Sequence, residues 1–188
     1  MKNPFTDLPD DEVEYLDLVR FNVFGYINDE FAREFTEALF RKDDDDPKAV
    51  WEVVINSEGG DMESGTAIFS ELRAYSERGG GNHHVITRVR GQAASCAALI
   101  LQAGDKRSAG KMDYIMLHEP MMTFTDATLQ RVRDELRQAD SWIENFLDVV
   151  MERGSADRKF YAKNLSGGRD WWLSSSEALE LGLIDEVA

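Results

Sequence analysis

The stretch Gly91-Gln92-Ala93-Ala94-Ser95-Cys96-Ala97-Ala98 decides how this chain is read. A β-branched run precedes it (Val85, Ile86, Thr87, Val89), and a small, apolar stretch from Ala97 to Ala103 follows. The local reading is strand, tight glycine turn, then a helix beginning near Ser95. A serine at that junction has two physical uses. It is a favoured helix N-cap. Its hydroxyl also lies where free backbone N–H groups gather and favour negative charge, which suits a nucleophile whose reaction builds an oxyanion.

Outward from this segment, strands and helices alternate. Val19–Ile27 reads as a strand. Asp29 starts a helix with apolar residues at Phe31, Phe35 and Ala38/Leu39. Val50–Ile55 reads as a buried strand, followed by Gly59-Gly60 and a helix through Met62, Phe69, Leu72 and Tyr75 that ends at Gly79–Gly81. Lys111–Leu117 reads as a strand ending at His118-Glu119-Pro120. The longest helix is expected from about Asp126 to Met151, with a stripe of Leu129, Val132, Leu136, Ala139, Ile143, Phe146, Leu147 and Val150. A short helix near Ser175–Leu181 and a final turn and strand, Gly182–Val187, close the chain. This alternation predicts an α/β layered fold with right-handed crossovers.

Composition narrows the partners. The 188 residues carry a net charge of −15, with 14 acids against 6 bases in residues 1–50. Phosphate contact needs clustered Lys and Arg, so nucleic acid is not an expected partner. Cys96 is the single cysteine, which rules out an intrachain disulfide, and no Cys/His spacing fits zinc. No metal or cofactor is therefore expected. Met1–Asp7 lacks the apolar core of a signal peptide, and no run approaches the ~18 apolar residues of a membrane span. A cytoplasmic protein without a membrane partner is expected. Residues 1–18, acidic and carrying Pro4 and Pro9, read as a flexible arm, and residues 19–188 as a single domain.

Three further features bear on chemistry, each with a plainer alternative. Gly59-Gly60 lets the backbone approach a ligand and turn N–H groups outward, or is an ordinary loop before a helix. His118 stands at a strand end, where catalytic side chains emerge, or is a satisfied structural histidine. Asp170, beside Trp171 and Trp172, is a carboxylate in need of a partner, which His118 or Arg169 could supply, or lies on a surface turn. Together they fit one mechanism. Ser95 attacks a carbonyl, His118 takes and returns the proton, and Asp170 orients the imidazole. The N–H groups of Gly60 and Cys96 would hold the oxyanion.

The chain resembles the proteolytic subunit of the ATP-dependent Clp proteases. The resemblance rests on Ile55-Asn56-Ser57-Glu58-Gly59-Gly60, Gly91-Gln92-Ala93-Ala94-Ser95, Met116-Leu117-His118-Glu119-Pro120 and Arg169-Asp170-Trp171-Trp172-Leu173-Ser174. The ending Glu177–Asp185 is also similar. The resemblance implies Ser95, His118 and Asp170 as a triad, with Gly60 and Cys96 as the oxyanion hole. It implies a spiral of ββα units with a protruding helical handle, here about residues 121–160. It also implies a homo-oligomer of seven-membered rings around a chamber, a polypeptide substrate and an unfoldase ATPase as partner. The chain departs from the family pattern at Glu58, where proline is usual, and at Glu119, where glutamine is usual. Met121–Thr125 lacks the glycines of the strand that helps bind substrate and join rings. A phage-encoded capsid-maturation protease of the same chemistry, a non-catalytic ring subunit and a crotonase-type acyl-CoA enzyme are the alternative readings.

Overall fold

A computed structural model describes residues 17–188. The acidic arm falls outside the described residues up to residue 16. Strand β1, Leu18–Ile27, begins one residue inside the segment read as arm, and the Asp17 carbonyl accepts the Val50 N–H at 2.9 Å. Helix α1, Asp29–Asp45, is capped by the Asn28 side chain, which accepts the Phe31 N–H. It buries Ala32, Phe35 and Leu39, an i, i+3, i+7 spacing that keeps one stripe on the sheet. Strand β2, Val50–Gly60, leads into α2, Met62–Tyr75. A 3₁₀ turn over Glu77–Gly79 then precedes β3, Val85–Ala94.

Strands β1, β2 and β3 pair in parallel, and β4 (Lys106–Ala109) and β7 (Glu186–Val187) extend the same parallel row. Alternate residues of each strand enter the core, among them Val23, Val53, Ile55, Val85 and Val89, all fully buried. Trp51 lies beneath them, its ring edge-on to Phe21 and stacked on His83 at 3.7 Å.

Strand β3 changes partners along its length, and this change positions the site. Ile86–Val89 pairs with β4, whereas Gln92–Ala94 pairs with β5, Tyr114–Leu117. The bend falls at Gly91, with φ +108°, so the expected glycine turn is a kink inside the strand. Strand β5 pairs antiparallel with β6, Trp171–Ser174. Between β5 and β6 lie α4, Leu129–Met151, and α5, Arg158–Leu165.

The α/β class holds, with three local corrections. The strand expected over Lys111–Leu117 shortens to β5, Tyr114–Leu117, and an unexpected strand, β4, precedes it across a turn in which the Asp113 carboxylate accepts the Gly110 N–H at 2.6 Å. The long helix starts at Leu129, three residues later than expected, capped by Thr128. Its apolar stripe divides. Ala139, Phe146, Leu147 and Val150 are buried in the chain's own core, whereas Leu129 and Leu136 are 72% and 47% exposed.

Candidate active site

Ser95 follows the last residue of β3 and precedes α3, Cys96–Leu101. Its backbone is unusual, with φ 57° and ψ −128°, and its side chain caps no helix N–H. The N-cap alternative therefore fails for this serine. A non-glycine residue in such a conformation costs about 1–3 kcal/mol. The fold holds it there from both sides. Ser95 donates its N–H to the Met116 carbonyl at 2.9 Å, and its own carbonyl accepts the Ala98 N–H at 2.9 Å. The first bond continues the β3–β5 ladder, in which Ala94 faces Met116. It ties Ser95 to the strand that carries His118.

His118 Nε2 lies 2.8 Å from Ser95 Oγ. On the other side of the ring, Nδ1 lies 3.6 Å from an Asp170 carboxylate oxygen. The first distance is a hydrogen bond. The second is an ion-pair approach, longer than a hydrogen bond. The imidazole is largely enclosed, at 13% side-chain exposure, whereas the Asp170 side chain is 56% exposed. Strand register explains the meeting of His118 and Asp170. The antiparallel pair ends at Leu117 opposite Trp171, so the next residue on each strand is His118 on one side and Asp170 on the other. Among the described residues, no ion pair joins Arg169 to Asp170.

Gly59 and Gly60 lie against the serine. A Cβ on Gly59 would stand 2.6 Å from Ser95 Cβ and 3.2 Å from its Oγ, and φ is +95°. Only glycine permits that approach at that dihedral. A Cβ on Gly60 would overlap the Ile27 carbonyl. Burial pushes the Cys96 thiol up to about 12, against the opposing pull of the backbone N–H groups of Gly60 and Cys96 itself. Both N–H groups thus act on the Cys96 sulfur, on the residue after Ser95. Cys96 is 1% exposed and packs on Gly65 of α2, where a Cβ would stand 2.5 Å from Cys96 Cβ. Beside Gly60, Asp61 accepts the Tyr26 hydroxyl at 3.0 Å and, by that bond and its charge, raises the Tyr26 pKa.

The other histidines are occupied elsewhere. His83 is buried between the Ala49 carbonyl (2.7 Å) and Asp43 (3.0 Å), and His84 contacts Glu77. Ligand atoms of Glu77, His84 and Asp105 lie within 4.8 Å of one another. Asp105 already accepts the N–H groups of Glu77, Arg78 and Val85 there, which fastens the turn before β3.

The sequence marks Glu119 only as a departure from the family pattern and assigns it no role. Its carboxylate accepts the Gly168 N–H at 3.1 Å, joining the His118 segment to the loop of Asp170. The sequence signal is a carboxylate between His118 and Pro120 where the family usually has glutamine.

The model of the Clp protease family matches residues 15–188. The ATP-dependent Clp protease proteolytic subunit of Bacteroides fragilis is 30% identical over 172 residues, covering 86% of this chain and 74% of that protein. The subunit of the same name from Bacteroides thetaiotaomicron is 30% identical over 173 residues, 86% of this chain and 70% of its own length. The ATP-dependent Clp protease proteolytic subunit 1 of Protochlamydia amoebophila is 28% identical over 187 residues, 94% of this chain and 84% of the relative. The family match runs through β1 to β7 and takes in every segment that meets around Ser95, and with it this chain belongs to the Clp protease family.

Proposed function

We propose that the chain is a serine endopeptidase in which Ser95 is the nucleophile, His118 the general base and acid, and Asp170 the carboxylate that orients the imidazole. The observation that carries this reading is the 2.8 Å contact between His118 Nε2 and Ser95 Oγ. In the first step Ser95 Oγ bonds to the scissile carbonyl carbon, and its proton passes to Nε2. The carbonyl oxygen becomes an oxyanion, facing the N–H groups of Gly60 and Cys96. The intermediate collapses, the C–N bond breaks, and Nε2 gives its proton to the leaving amine. Water then repeats the sequence, with His118 as base, and frees the acyl group from Ser95. Asp170 stands 3.6 Å from Nδ1 and tightens onto it as the imidazolium forms, since catalytic contacts are often long without substrate.

The same reading includes a homo-oligomeric, heptameric ring that encloses the site, fed with polypeptide by an unfoldase ATPase. Its support is the name shared by the relatives and the exposed Leu129 and Leu136 at the start of α4. Apolar residues grouped on one helical face favour a contact with another subunit. No helix among the described residues is long and apolar enough to cross a membrane, and the cytoplasm is the proposed setting. Membership in a protease family leaves the acyl-CoA alternative without an observation in its favour.

The test is cleavage of short fluorogenic peptides. Ser95→Ala and His118→Ala are each expected to lose about 10⁴–10⁶ in kcat, and the double variant to be little worse than either. Retained cleavage by Ser95→Ala would refute the reading.

A further inference from the structure

The carboxylate proposed to orient His118 is the least supported member of its site. Asp170 follows Gly167 and Gly168, which have φ of +89° and +65°. A Cβ on either would meet nothing within 4 Å, so no neighbour wedges this turn in place. Two successive glycines also leave the backbone maximal freedom. The side chain of Asp170 is more than half exposed, and among the described residues its one partner is His118. Packing therefore does not hold the loop where the chemistry needs it.

Strand pairing does not hold it either. The β5–β6 register, with Leu117 opposite Trp171, would continue as His118 opposite Asp170, Glu119 opposite Arg169 and Pro120 opposite Gly168. The ladder ends at Leu117 opposite Trp171, and Pro120 beyond it has no N–H to resume it. One hydrogen bond stands in its place. Gly168 donates its N–H to Glu119 Oε2 at 3.1 Å. Among the described residues, it is the bond that ties residues 167–170 to another segment besides the His118 contact itself. The two contacts close a small circuit. It runs from His118 to Glu119 along the chain, across to Gly168, along to Asp170 and back across to His118.

We infer that Glu119 is a positioning residue, whose hydrogen bond to the Gly168 N–H holds the Asp170 loop against the His118 imidazole. The inference rests on the proposed roles of Ser95, His118 and Asp170. Glu119 acts through its acceptor oxygen. A glutamine keeps that acceptor and loses the charge, whereas alanine or methionine loses both.

The experiment uses the full chain in its native assembly. It measures peptide cleavage, and also the rate at which a fluorophosphonate modifies Ser95, a readout that needs no peptide substrate. Glu119→Ala is expected to lower kcat about 10- to 100-fold with KM within about twofold, the signature of a displaced catalytic group. Glu119→Gln is expected to stay within about threefold of the native enzyme, because its amide oxygen accepts the same bond. In an Asp170→Ala background, Glu119→Ala is expected to add less than about twofold, because residues acting as one unit are not additive. Thermal melting and particle size control for folding. Should Glu119→Ala fail to assemble, Glu119→Met against Glu119→Gln makes the same comparison. Glu119→Gln as impaired as Glu119→Ala would overturn the hydrogen-bond role. So would native rates in Glu119→Ala, or an undiminished loss in the Asp170→Ala background. An active Ser95→Ala would instead sink the triad. An inactive Ser95→Ala beside a fully active Glu119→Ala would sink only the role of Glu119.

Discussion

Gly65→Ala tests how closely α2 holds the site, at a residue with no chemistry of its own. By helix propensity alone the change is favourable, since alanine is better than glycine inside a helix by about 1 kcal/mol. Position 65 reverses that. The new methyl would stand 2.5 Å from Cys96 Cβ and 2.8 Å from its Sγ, while carbon contacts settle near ~3.5–4.0 Å. The sulfur can rotate away, but Cβ is fixed to the backbone, so the first residue of α3 must move by about 1 Å. Overpacking of this kind costs about 1–3 kcal/mol, and the propensity gain offsets part of it, leaving a net loss of about 0–2 kcal/mol. The catalytic loss is larger. Cys96 adjoins Ser95 and carries one of the proposed oxyanion N–H groups, and a 1 Å misplacement can cost about 10²-fold in rate. Gly65→Ala is thus expected to melt close to the native protein yet to cleave peptides about 100-fold more slowly. Adding Cys96→Gly, which removes the opposing Cβ, should recover part of the lost rate. A Gly65→Ala variant that is both fully active and about 1 kcal/mol more stable would refute the argument.

Two further outcomes follow from burial and charge. The Cys96 thiol, pushed up to about 12 by burial, should resist iodoacetamide at pH 8 in the folded protein and react once it is denatured; rapid modification of the native form would contradict its placement. Burial disfavours the charged form of Asp185, but hydrogen bonds and charge from Arg107, with Arg153, outweigh it and hold the carboxyl below its usual range. A depressed folded pKa adds stability that is present above the unfolded value, near ~3.9, and lost as pH falls through the folded value. Asp185→Asn leaves the buried Arg107 without its charge partner, at a cost of about 3–5 kcal/mol. The denaturant midpoints of the two proteins should differ most at pH 7 and draw together below about pH 4; a constant gap would show that the carboxylate charge is not the cause.

Parts of this were legible in the sequence because they depend on residue type and period. The β-branched run before Gly91 and the small residues after Ser95 mark a strand-to-helix junction, and Phe35 and Leu39 of α1 and Leu72 of α2 are buried as their stripes predict, whereas α2 also buries Ser64, Gly65 and Ile68, outside the stripe. What was not legible depends on pairing between distant segments. β4 is four residues, Lys106–Ala109, flanked by Gly104 and Gly110, too short and too polar to stand out. β6 begins at Trp171, directly after Gly-Gly-Arg-Asp, and reads as a turn until β5 lies beside it. That register sets His118 opposite Asp170, and no local pattern encodes it. The strain at Ser95 was hidden because it is imposed by Met116 and Ala98 through backbone bonds. Glu119 stands out in the sequence as a departure from the family pattern, but its role does not, since its partner is a backbone N–H that any residue could offer.

Fluorophosphonate modification of the native protein, followed by mass mapping of the peptides, tests the central claim most directly. A single adduct on Ser95, abolished in His118→Ala although the serine remains, is the predicted result. An adduct on another serine, or an unmodified Ser95 in a protein that still cleaves peptides, would contradict the account.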